Sequence, residues 1–366
     1  MNRRDALSLL ALSSSNRARA KESRLRARDL GIHPGIHPTG PLNAITAVAG
    51  VRVGHATLNT GDRIRTGVTA VLPHAGNLFQ EKVPGAIYIA NAFGKLAGSA
   101  QVEELGTIET PIVLTNTLSV GTAVEAVAAY TLRQTGNEQV RSVNALVGET
   151  NDGGLNDIRG MHVKAEHVWS AIESAAEGAV AEGSVGAGTG TICFGYKGGI
   201  GTSSRKLAVG GYTLGVLVQT NYGGQFMING VLIDRPNAKH GNSGDGSCMI
   251  VVATDAPVDA HSLRRVAARA AFGMARTGAS YANGSGDFAI AFSTAPELRV
   301  KHGDAEPRVR RLLPSDALSP LFQAALEATE EAVYNSLLQA TSVQSKIGSA
   351  EAISVEKVRD ALKGKK

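Results

Sequence analysis

Ser247 carries the hydroxyl whose position in the sequence could most directly support chemistry. It follows a loop rich in Gly, Asn, Ser and Asp at 240–246 and precedes the apolar run 249–253, so it is predicted to stand where a loop enters a buried strand. If the chain were cut between Gly246 and Ser247, one residue would hold both a nucleophile and an amine able to take its proton. On local sequence alone, a glycine-rich turn before a core strand is the commoner explanation.

Further polar residues lie at the ends of other predicted strands. Glu149 ends one strand, where its carboxylate could meet a cationic group, and Asn221 follows another, where its amide N–H could stabilise an oxyanion. Ser285 and Asp287 directly precede a strand, as Ser247 does. Each of these residues also has a structural explanation in capping or turn hydrogen bonds. For Asp152 and Asp157, in the loop after Glu149, we prefer that structural explanation.

The two cysteines, Cys193 and Cys248, are predicted to be buried free thiols. They cannot form a disulfide framework, and the sequence has no CxxC or clustered His/Cys pattern of a metal site. Strand alternation turns Cys248 to the face opposite Ser247, so we interpret it as a core residue and not as the nucleophile. His33 and His37 fall in the repeat GIHPGIHP, where proline prevents a shared helical face. Neither a metal nor a cofactor is predicted.

The spacing of apolar residues predicts the elements that would position these groups. Strands are expected at 45–57, 66–74, 86–90, 111–115, 143–147, 212–220, 249–253 and 288–292. Helices are expected at 120–134, 165–182, 259–277 and 320–338, and the polar tail 346–366 is expected to be a surface helix. Because strands come in runs and helices in pairs, we predict an α+β fold with antiparallel pairing.

Charge and glycine patterns exclude several classes of partner. The net charge of +5 comes entirely from residues 1–29, and the remainder is neutral, which argues against nucleic acid as a partner. Gly186, Gly188 and Gly190 follow a predicted helix and precede a strand, which reverses the order of a dinucleotide-binding motif. No run of 18 uninterrupted apolar residues occurs, so no membrane span is predicted.

The first twenty residues are expected to be an export signal. Arg3 and Arg4 precede a short apolar stretch at 6–12, and Ala18-Arg19-Ala20 offers a small-x-small cleavage site. This pattern resembles a twin-arginine signal and predicts a periplasmic protein. If the leader is instead a disordered basic tail, the protein is expected to be cytoplasmic. We predict an irregular arm at 21–42, a single catalytic domain at 43–345 and a polar tail at 346–366.

Taken together, the motifs resemble the β-aminopeptidases and L-aminopeptidase/D-amidases. The resemblance begins with GDGS, an apolar run and ATDAP around Ser247, and it extends over roughly 45–338 with the motifs in the same order. The other matching motifs are AGVRVGHAT, TGVTAVLPH, NAFGKLAG, ETPIVLTNTLSVG, GETNDGGLNDIRG, KGGIGTSSR, LVQTNYG, ARTGA and NGSGD.

The resemblance implies a fold, a processing step and a set of roles. The fold would be a four-layer αββα sandwich of the N-terminal-nucleophile type, in which a precursor cuts itself into chains 43–246 and 247–366. Ser247 would be the nucleophile and its new α-amine the base. Ser285 and Asp287 would orient these groups, Asn221 would stabilise the oxyanion, and Glu149 would bind the free amine of the substrate. The resemblance also implies a homotetramer of cut protomers.

The predicted function is therefore a self-processing serine aminopeptidase or amidase acting through an acyl-enzyme on Ser247. Its substrates would be small peptides, amides or esters with a free N-terminal amine, releasing β-amino acyl or D/L-amino acyl residues. Two enzymatic alternatives remain open: a hydrolase of synthetic amide oligomers, and an acyltransferase of the ornithine-acetyltransferase type. The latter normally uses Thr where this chain has Ser247. A secreted binding protein is the non-enzymatic alternative.

Overall fold

Two large β-sheets form the centre of the protein. The structure is a computed structural model that describes residues 24–234 and 246–363, so the predicted export signal lies outside the described residues. The five-stranded sheet contains, in spatial order, β1 (Arg52–Thr60), β2 (Ile64–Leu72), β6 (Ile112–Asn116), β7 (Leu146–Thr150) and β4 (Leu96–Ala97). The seven-stranded sheet contains β10 (Gly199–Lys206), β11 (Thr213–Asn221), β14 (Ser247–Thr254), β15 (Gly286–Ser293), β3 (Glu81–Ala92) and β16 (Val300–Lys301), with β5 (Thr107–Ile108) also paired to β3.

Short strand pairs and helices complete the described fold. The two-residue strands pair as β8 (Ile192–Cys193) with β9 (Tyr196–Lys197), β12 (Met227–Ile228) with β13 (Val231–Leu232), and β17 (Val343–Gln344) with β18 (Ser349–Ala350). The helices are α1 (Ser99–Leu105), α2 (Val120–Leu132), α3 (Ala165–Glu173), α4 (Ala260–Arg276), α5 (Ser319–Leu338) and α6 (Val355–Lys363). None of the described helices is both long enough and apolar enough to cross a membrane.

The predicted α+β class is confirmed, and most strand pairs are antiparallel as predicted. Each main sheet also contains one parallel pair, β6 with β7 and β14 with β15. These parallel pairs matter because they align the starts of two strands, or the ends of two strands, at one edge of a sheet. In this way the first residues of β14 and β15 lie side by side, with Ser247 opposite Gly286.

The helix predicted at 165–182 is wrong in its second half, because α3 ends at Glu173. The following segment extends the edge of the five-stranded sheet, where Val53 and Ala176 exchange both of their backbone hydrogen bonds at 3.1 Å. Gly178 then adopts a φ of 109°, which a helix does not allow. Backbone pairing with β1 thus replaces the last predicted turns, although the apolar spacing continues.

Strand β10 was missed because its first half resembles a glycine-rich loop. In the structure Gly201 of this strand allows helix α5 to approach the sheet closely. A Cβ atom on Gly201 would lie 2.0 Å from the carbonyl oxygen of Ala332 in α5, a distance that no real side chain tolerates. Gly201 therefore serves packing between helix and strand, whereas Gly199 allows a close approach of the backbone at Gly183.

Buried apolar residues form three clusters. One joins α4 and α5 to the seven-stranded sheet, the second lies between the two sheets, and the third joins the five-stranded sheet to α2 and α3. Strand β14 contributes alternately to the first two clusters: Cys248 and Ile250 face the helices, while Met249 and Val251 face the other sheet. By the same alternation, Ser247 faces the space between the sheets.

The N-terminal arm is irregular in structure but extensively bonded, which its sequence does not predict. It lies against Arg205 of β10 and Glu327 of α5, both fully buried and paired at 3.2 Å. The Arg205 guanidinium also donates to the Pro34 carbonyl at 2.9 Å, and the Glu327 carboxylate accepts the backbone N–H groups of Ile36 and His37 at 2.8 and 3.0 Å. The arm therefore joins β10 to α5, two elements that lie on opposite sides of the predicted cleavage site.

Replacing Arg205 with methionine should destabilise the protein by about 3–5 kcal/mol, because two buried carboxylates, Glu327 and Glu331, would lose their shared partner. Arg308→Met is the matched control, since its ion pair with Asp304 is partly exposed and is expected to contribute less than about 1 kcal/mol. Thermal unfolding of the two purified variants measures the difference. Equal unfolding temperatures would contradict a stabilising role for the buried network.

Candidate active site

The site is centred on Ser247, the first residue of β14. This strand lies between β11, to which it is antiparallel, and β15, to which it is parallel. Asn221, the last residue of β11, stands directly opposite Ser247, and Gly286, the first residue of β15, is its partner on the other side. The ends of three neighbouring strands therefore meet at one sheet edge, and the Ser247 side chain there is largely buried.

The peptide bond before Ser247 is held by two hydrogen bonds to its carbonyl oxygen. The Ser247 hydroxyl donates to the Gly246 carbonyl at 2.6 Å, and the Gly286 N–H donates to the same oxygen at 3.0 Å. A Cβ atom on Gly246 would lie 2.3 Å from the Asn221 carbonyl oxygen and 2.4 Å from the Tyr222 Cα atom. Only glycine fits at this position, so the carbonyl is presented to the hydroxyl by close backbone contact.

Asn221 has a fixed side-chain orientation. Its Oδ1 atom accepts the N–H of Ile192 at 2.9 Å, and its Nδ2 atom donates to the Asn151 carbonyl at 2.9 Å. Since directly opposed residues of an antiparallel pair share a face, the Asn221 amide lies on the same side of the sheet as the Ser247 hydroxyl. An amide nitrogen has two N–H groups, so one remains for a ligand.

Glu149 reaches the site from β7 of the other sheet. Its carboxylate is 2% exposed and accepts hydrogen bonds from the Lys95 N–H at 3.0 Å and from the Thr117 hydroxyl. Gly94 separates it from β15: a Cβ atom there would lie 3.3 Å from Glu149 Oε1 and 3.1 Å from the Gly286 Cα atom. Glu149 therefore lies one glycine away from the residue that pairs with Ser247.

Ser285 and Asp287 flank Gly286 at the start of β15. Asn91, in β3, donates to the Ser285 carbonyl oxygen, as does the backbone N–H of Phe93 at 3.0 Å. Asp287 pairs in register with Cys248, so its carboxylate lies on the helix-facing side of the sheet and not beside the Ser247 hydroxyl. Among the described residues, neither buried Asp287 oxygen has a hydrogen-bond partner of good geometry.

Burial raises the pKa of the Asp287 carboxyl from its usual 3.8 to about 6, and the nearby Ser285 hydroxyl and Cys248 N–H only partly oppose this rise. Between about pH 4 and 6, the folded uncut chain keeps a proton that the unfolded chain has lost. The stability that this group contributes is therefore complete below about pH 4 and is lost as the pH rises to about 6.

Asp287→Asn, tested in a Ser247→Ala chain that we expect to remain uncut, should gain stability relative to its parent as the pH rises from 4 to 6. The gain has a maximum slope of about 1.4 kcal/mol per pH unit and levels off above that window. Asn keeps the shape of Asp but cannot titrate, so the substitution removes only the ionisation of the carboxyl. Thermal unfolding at a series of pH values measures the difference in stability between the two chains. Curves of stability against pH that run parallel for the two chains would contradict the pKa rise.

Cys248 belongs to the core, as predicted from strand alternation. The side chain is fully buried in the cluster under α4 and α5, and burial raises the pKa of its thiol well above the usual value. A protonated, solvent-inaccessible thiol is a poor nucleophile. Cys193 is likewise buried and free, so both cysteine predictions are confirmed.

A buried lysine that the sequence does not single out, Lys197, pairs in register with Ile192 across the short strands β8 and β9. Lys197 is fully buried, its ammonium donates to the carbonyl oxygens of Gly188 and Gly198 at 2.7 Å, and burial lowers its pKa to about 7. Ile192 is in turn the residue whose N–H orients the Asn221 amide.

Asp152 makes the turn contacts that we preferred for it, because its carboxylate accepts a hydrogen bond from the Asn156 side-chain amide at 2.9 Å.

The structure thus brings Ser247, Gly246, Asn221 and Glu149 to one place, with Ser285 alongside. Asp287 is adjacent along the backbone, but its carboxylate emerges on the opposite face of the sheet. Four residues of this environment were missed as individual contributors: Asn91, Lys95, Thr117 and Gly286. All four lie inside quoted motifs, but their contacts join segments far apart in the sequence, so spacing gives no sign of them.

Comparison with known proteins places this geometry among peptidases. The profile of peptidase family S58 matches residues 43–350. A β-peptidyl aminopeptidase, BapA, of Sphingosinicella microcystinivorans is 41% identical over 351 residues, which cover 87% of this chain and 86% of the relative. The solved structure of a Burkholderia sp. β-aminopeptidase superposes with a TM-score of 0.87 at 40% identity, covering 93% of this chain and 99% of that one.

A second solved structure bears on the fold. The L-aminopeptidase D-Ala-esterase/amidase of Ochrobactrum anthropi superposes with a TM-score of 0.85 at 35% identity, covering 93% of this chain and 98% of that one. That protein is described as a prototype of the serine aminopeptidases and as a new variant of the Ntn hydrolase fold.

The described residues of the present chain contain no group of three or more His, Cys, Asp or Glu side chains arranged to bind a metal ion.

Proposed function

The chain belongs to peptidase family S58, and from that premise we propose that it is a self-processing serine aminopeptidase. Membership confirms the resemblance and the hydrolase class that the sequence predicts. The finer proposal is that Ser247 first cuts its own chain and then forms an acyl-enzyme with substrates. The observation that carries it is the Ser247 hydroxyl 2.6 Å from the carbonyl oxygen of the bond it would cut.

Self-cleavage would begin with attack of the Ser247 oxygen on the Gly246 carbonyl carbon. Negative charge would develop on the carbonyl oxygen, to which the Gly286 N–H already donates at 3.0 Å. The carbon–nitrogen bond to Ser247 would then break, with the hydroxyl proton passing to the departing nitrogen. Water would hydrolyse the resulting ester, leaving a Gly246 carboxylate and a Ser247 residue with a free amine and a free hydroxyl.

In the cut protein, the new α-amine would serve as general base. An α-amino group has a pKa of about 7.7–8.0, so a useful fraction is neutral near pH 7. Asp287 is suited to hold this amine, because neither of its buried oxygens has a hydrogen-bond partner of good geometry among the described residues, and its neighbour in register, Cys248, is adjacent to the new terminus. Ser285 would act beside it. The Asn221 amide would stabilise the oxyanion of the substrate.

The arrangement of Glu149 supports action at the first residue of a substrate. A buried carboxylate near the nucleophile offers a site for one ammonium group, and only the substrate's own N-terminus brings that group close to its first amide bond. The names of the relatives lead us to propose β-amino acyl or D/L-amino acyl residues as the groups released. Hydrolysis of peptides, amides and esters would share one acyl-enzyme.

The three apolar clusters support a four-layer αββα arrangement, with α2 and α3 outside the five-stranded sheet and α4 and α5 outside the seven-stranded sheet. Cleavage before Ser247 would divide this sandwich into chains 43–246 and 247–366 while both remain within one fold. We also propose that residues 1–20 direct export to the periplasm and that the cut protomers form a homotetramer.

A pair of substrates that differ only at the amine tests the proposal. β-Alanyl p-nitroanilide should be hydrolysed, whereas its N-acetyl derivative should show a kcat/KM lower by about 10²-fold or more, because Glu149 would lose its cationic partner. Both compounds have the same leaving group, so any difference belongs to the amine. Equal hydrolysis of the two would contradict aminopeptidase action.

A further inference from the structure

The carboxylate proposed to bind the substrate amine already has a cation beside it. The Lys95 ammonium lies 3.8 Å from Glu149 Oε1, the same oxygen that accepts the Lys95 backbone N–H at 3.0 Å. The two side chains differ greatly in exposure, with Lys95 58% exposed and Glu149 only 2%. The exposed Lys95 side chain therefore extends over the buried Glu149 carboxylate, and it does so from the loop that separates Glu149 from β15.

We propose that Lys95 determines substrate affinity and charge preference, by occupying the amine position while the site is empty and moving aside when substrate binds. This inference rests on the proposed role of Glu149. A substrate ammonium that approaches Glu149 must take the place of the Lys95 ammonium, since two cations compete for one carboxylate. Lys95 then acts as a competitor tethered to the site.

The contact is built so that the lysine can be displaced. A long, exposed side chain at 3.8 Å forms a weak ion pair that water and salt screen. The other contacts of Glu149, from the Lys95 N–H and the Thr117 hydroxyl, involve the backbone and a short side chain and do not depend on the lysine ammonium. Displacement therefore leaves the carboxylate oriented and hydrogen-bonded, ready for a new ammonium group.

The displaced ammonium also has a consequence for the choice of substrate. The Lys95 backbone N–H remains hydrogen-bonded to Glu149 after the ammonium has moved. The lysine side chain therefore stays beside the carbon that bears the substrate amine. A carboxylate on that carbon would pair with Lys95, and a cationic group there would be repelled. The substrate class favoured by this arrangement is a residue linked through its β-carboxyl with an acidic group beside its amine, such as a β-aspartyl residue.

The test compares Lys95→Met with the parent on β-alanyl and β-aspartyl p-nitroanilides. The KM for the neutral β-alanyl substrate should fall about three- to tenfold with kcat unchanged, the range of an exposed ion pair. The KM for the β-aspartyl substrate should stay within about twofold of the parental value, because the competitor for Glu149 and the partner of the substrate carboxylate are lost together. Lys95→Arg should keep both parental KM values. Lys301→Met removes an equal charge near Glu81, at the opposite end of β3 from Asn91, and should change neither.

Glu149→Gln separates the two levels of the argument. If it leaves the KM for the β-alanyl substrate unchanged, the proposed function of Glu149 fails. If it raises that KM while Lys95→Met changes neither KM, or changes both KM values by the same factor, the inference about Lys95 is overturned and the role of Glu149 stands. Self-cleavage of each variant, seen as two bands on a denaturing gel, shows that the fold is intact.

Discussion

Replacing Ser247 with alanine should yield a single uncut chain whose aminopeptidase activity is at least about 10⁴-fold below that of the parent. The variant loses the oxygen that would attack Gly246, so the chain keeps its peptide bond. It also loses the base, because no α-amine is released beside the site. Both defects have one cause, and for that reason the loss of cleavage and the loss of activity should occur together.

Cys248→Ala is the matched control for this experiment. It removes the side chain of the next residue, which lies in the core under α4 and α5 and has no part in the proposed chemistry. This variant should be cut and active, with a smaller chain that begins Ser-Ala-Met-Ile instead of the parental Ser-Cys-Met-Ile. Denaturing gels, N-terminal sequencing and rate measurements report all three properties, and a cut, active Ser247→Ala protein would refute the assignment.

The sequence predicts the central part of the site because strand ends are local features. A hydroxyl after glycine and before a run of β-branched residues identifies the start of β14, and the polar residues after the apolar strands identify Asn221 and Glu149. The order of motifs then relates these ends to one another. What local patterns cannot give is which strand ends become neighbours, since this depends on the parallel pairing of β14 with β15.

The missed features share a physical reason, which is that they depend on contacts between distant segments. Arg205 in β10 and Glu327 in α5 look like surface charges in the sequence, but they are fully buried because the arm covers them. Gly201 resembles a loop residue, yet it serves the approach of α5 to the sheet. The orientation of Asp287 is a further case: alternation from Cys248 gives the face of its carboxylate only when the register of the two strands is known.

Asn221→Ala should lower kcat for amide substrates by about 10²–10³-fold with a much smaller change in KM, because the lost N–H would act on the oxyanion of the transition state. Self-cleavage should be slowed less than catalysis, since the Gly286 N–H already donates to the Gly246 carbonyl oxygen that becomes the oxyanion in that step. Comparing self-cleavage with substrate hydrolysis in this one variant therefore distinguishes the role of the Gly286 N–H from that of the Asn221 amide.

The same substitution also removes the contacts of Asn221 with Ile192 and Asn151, so structural disturbance must be separated from lost catalysis. Asn221→Asp keeps an acceptor for the Ile192 N–H but has no N–H of its own, and it should lose kcat as Asn221→Ala does. Asn151→Ala deletes a neighbouring amide and leaves intact the backbone carbonyl that Asn221 contacts, so its kcat should stay near the parental value. A normal kcat in Asn221→Asp would show that the oxyanion donor lies elsewhere.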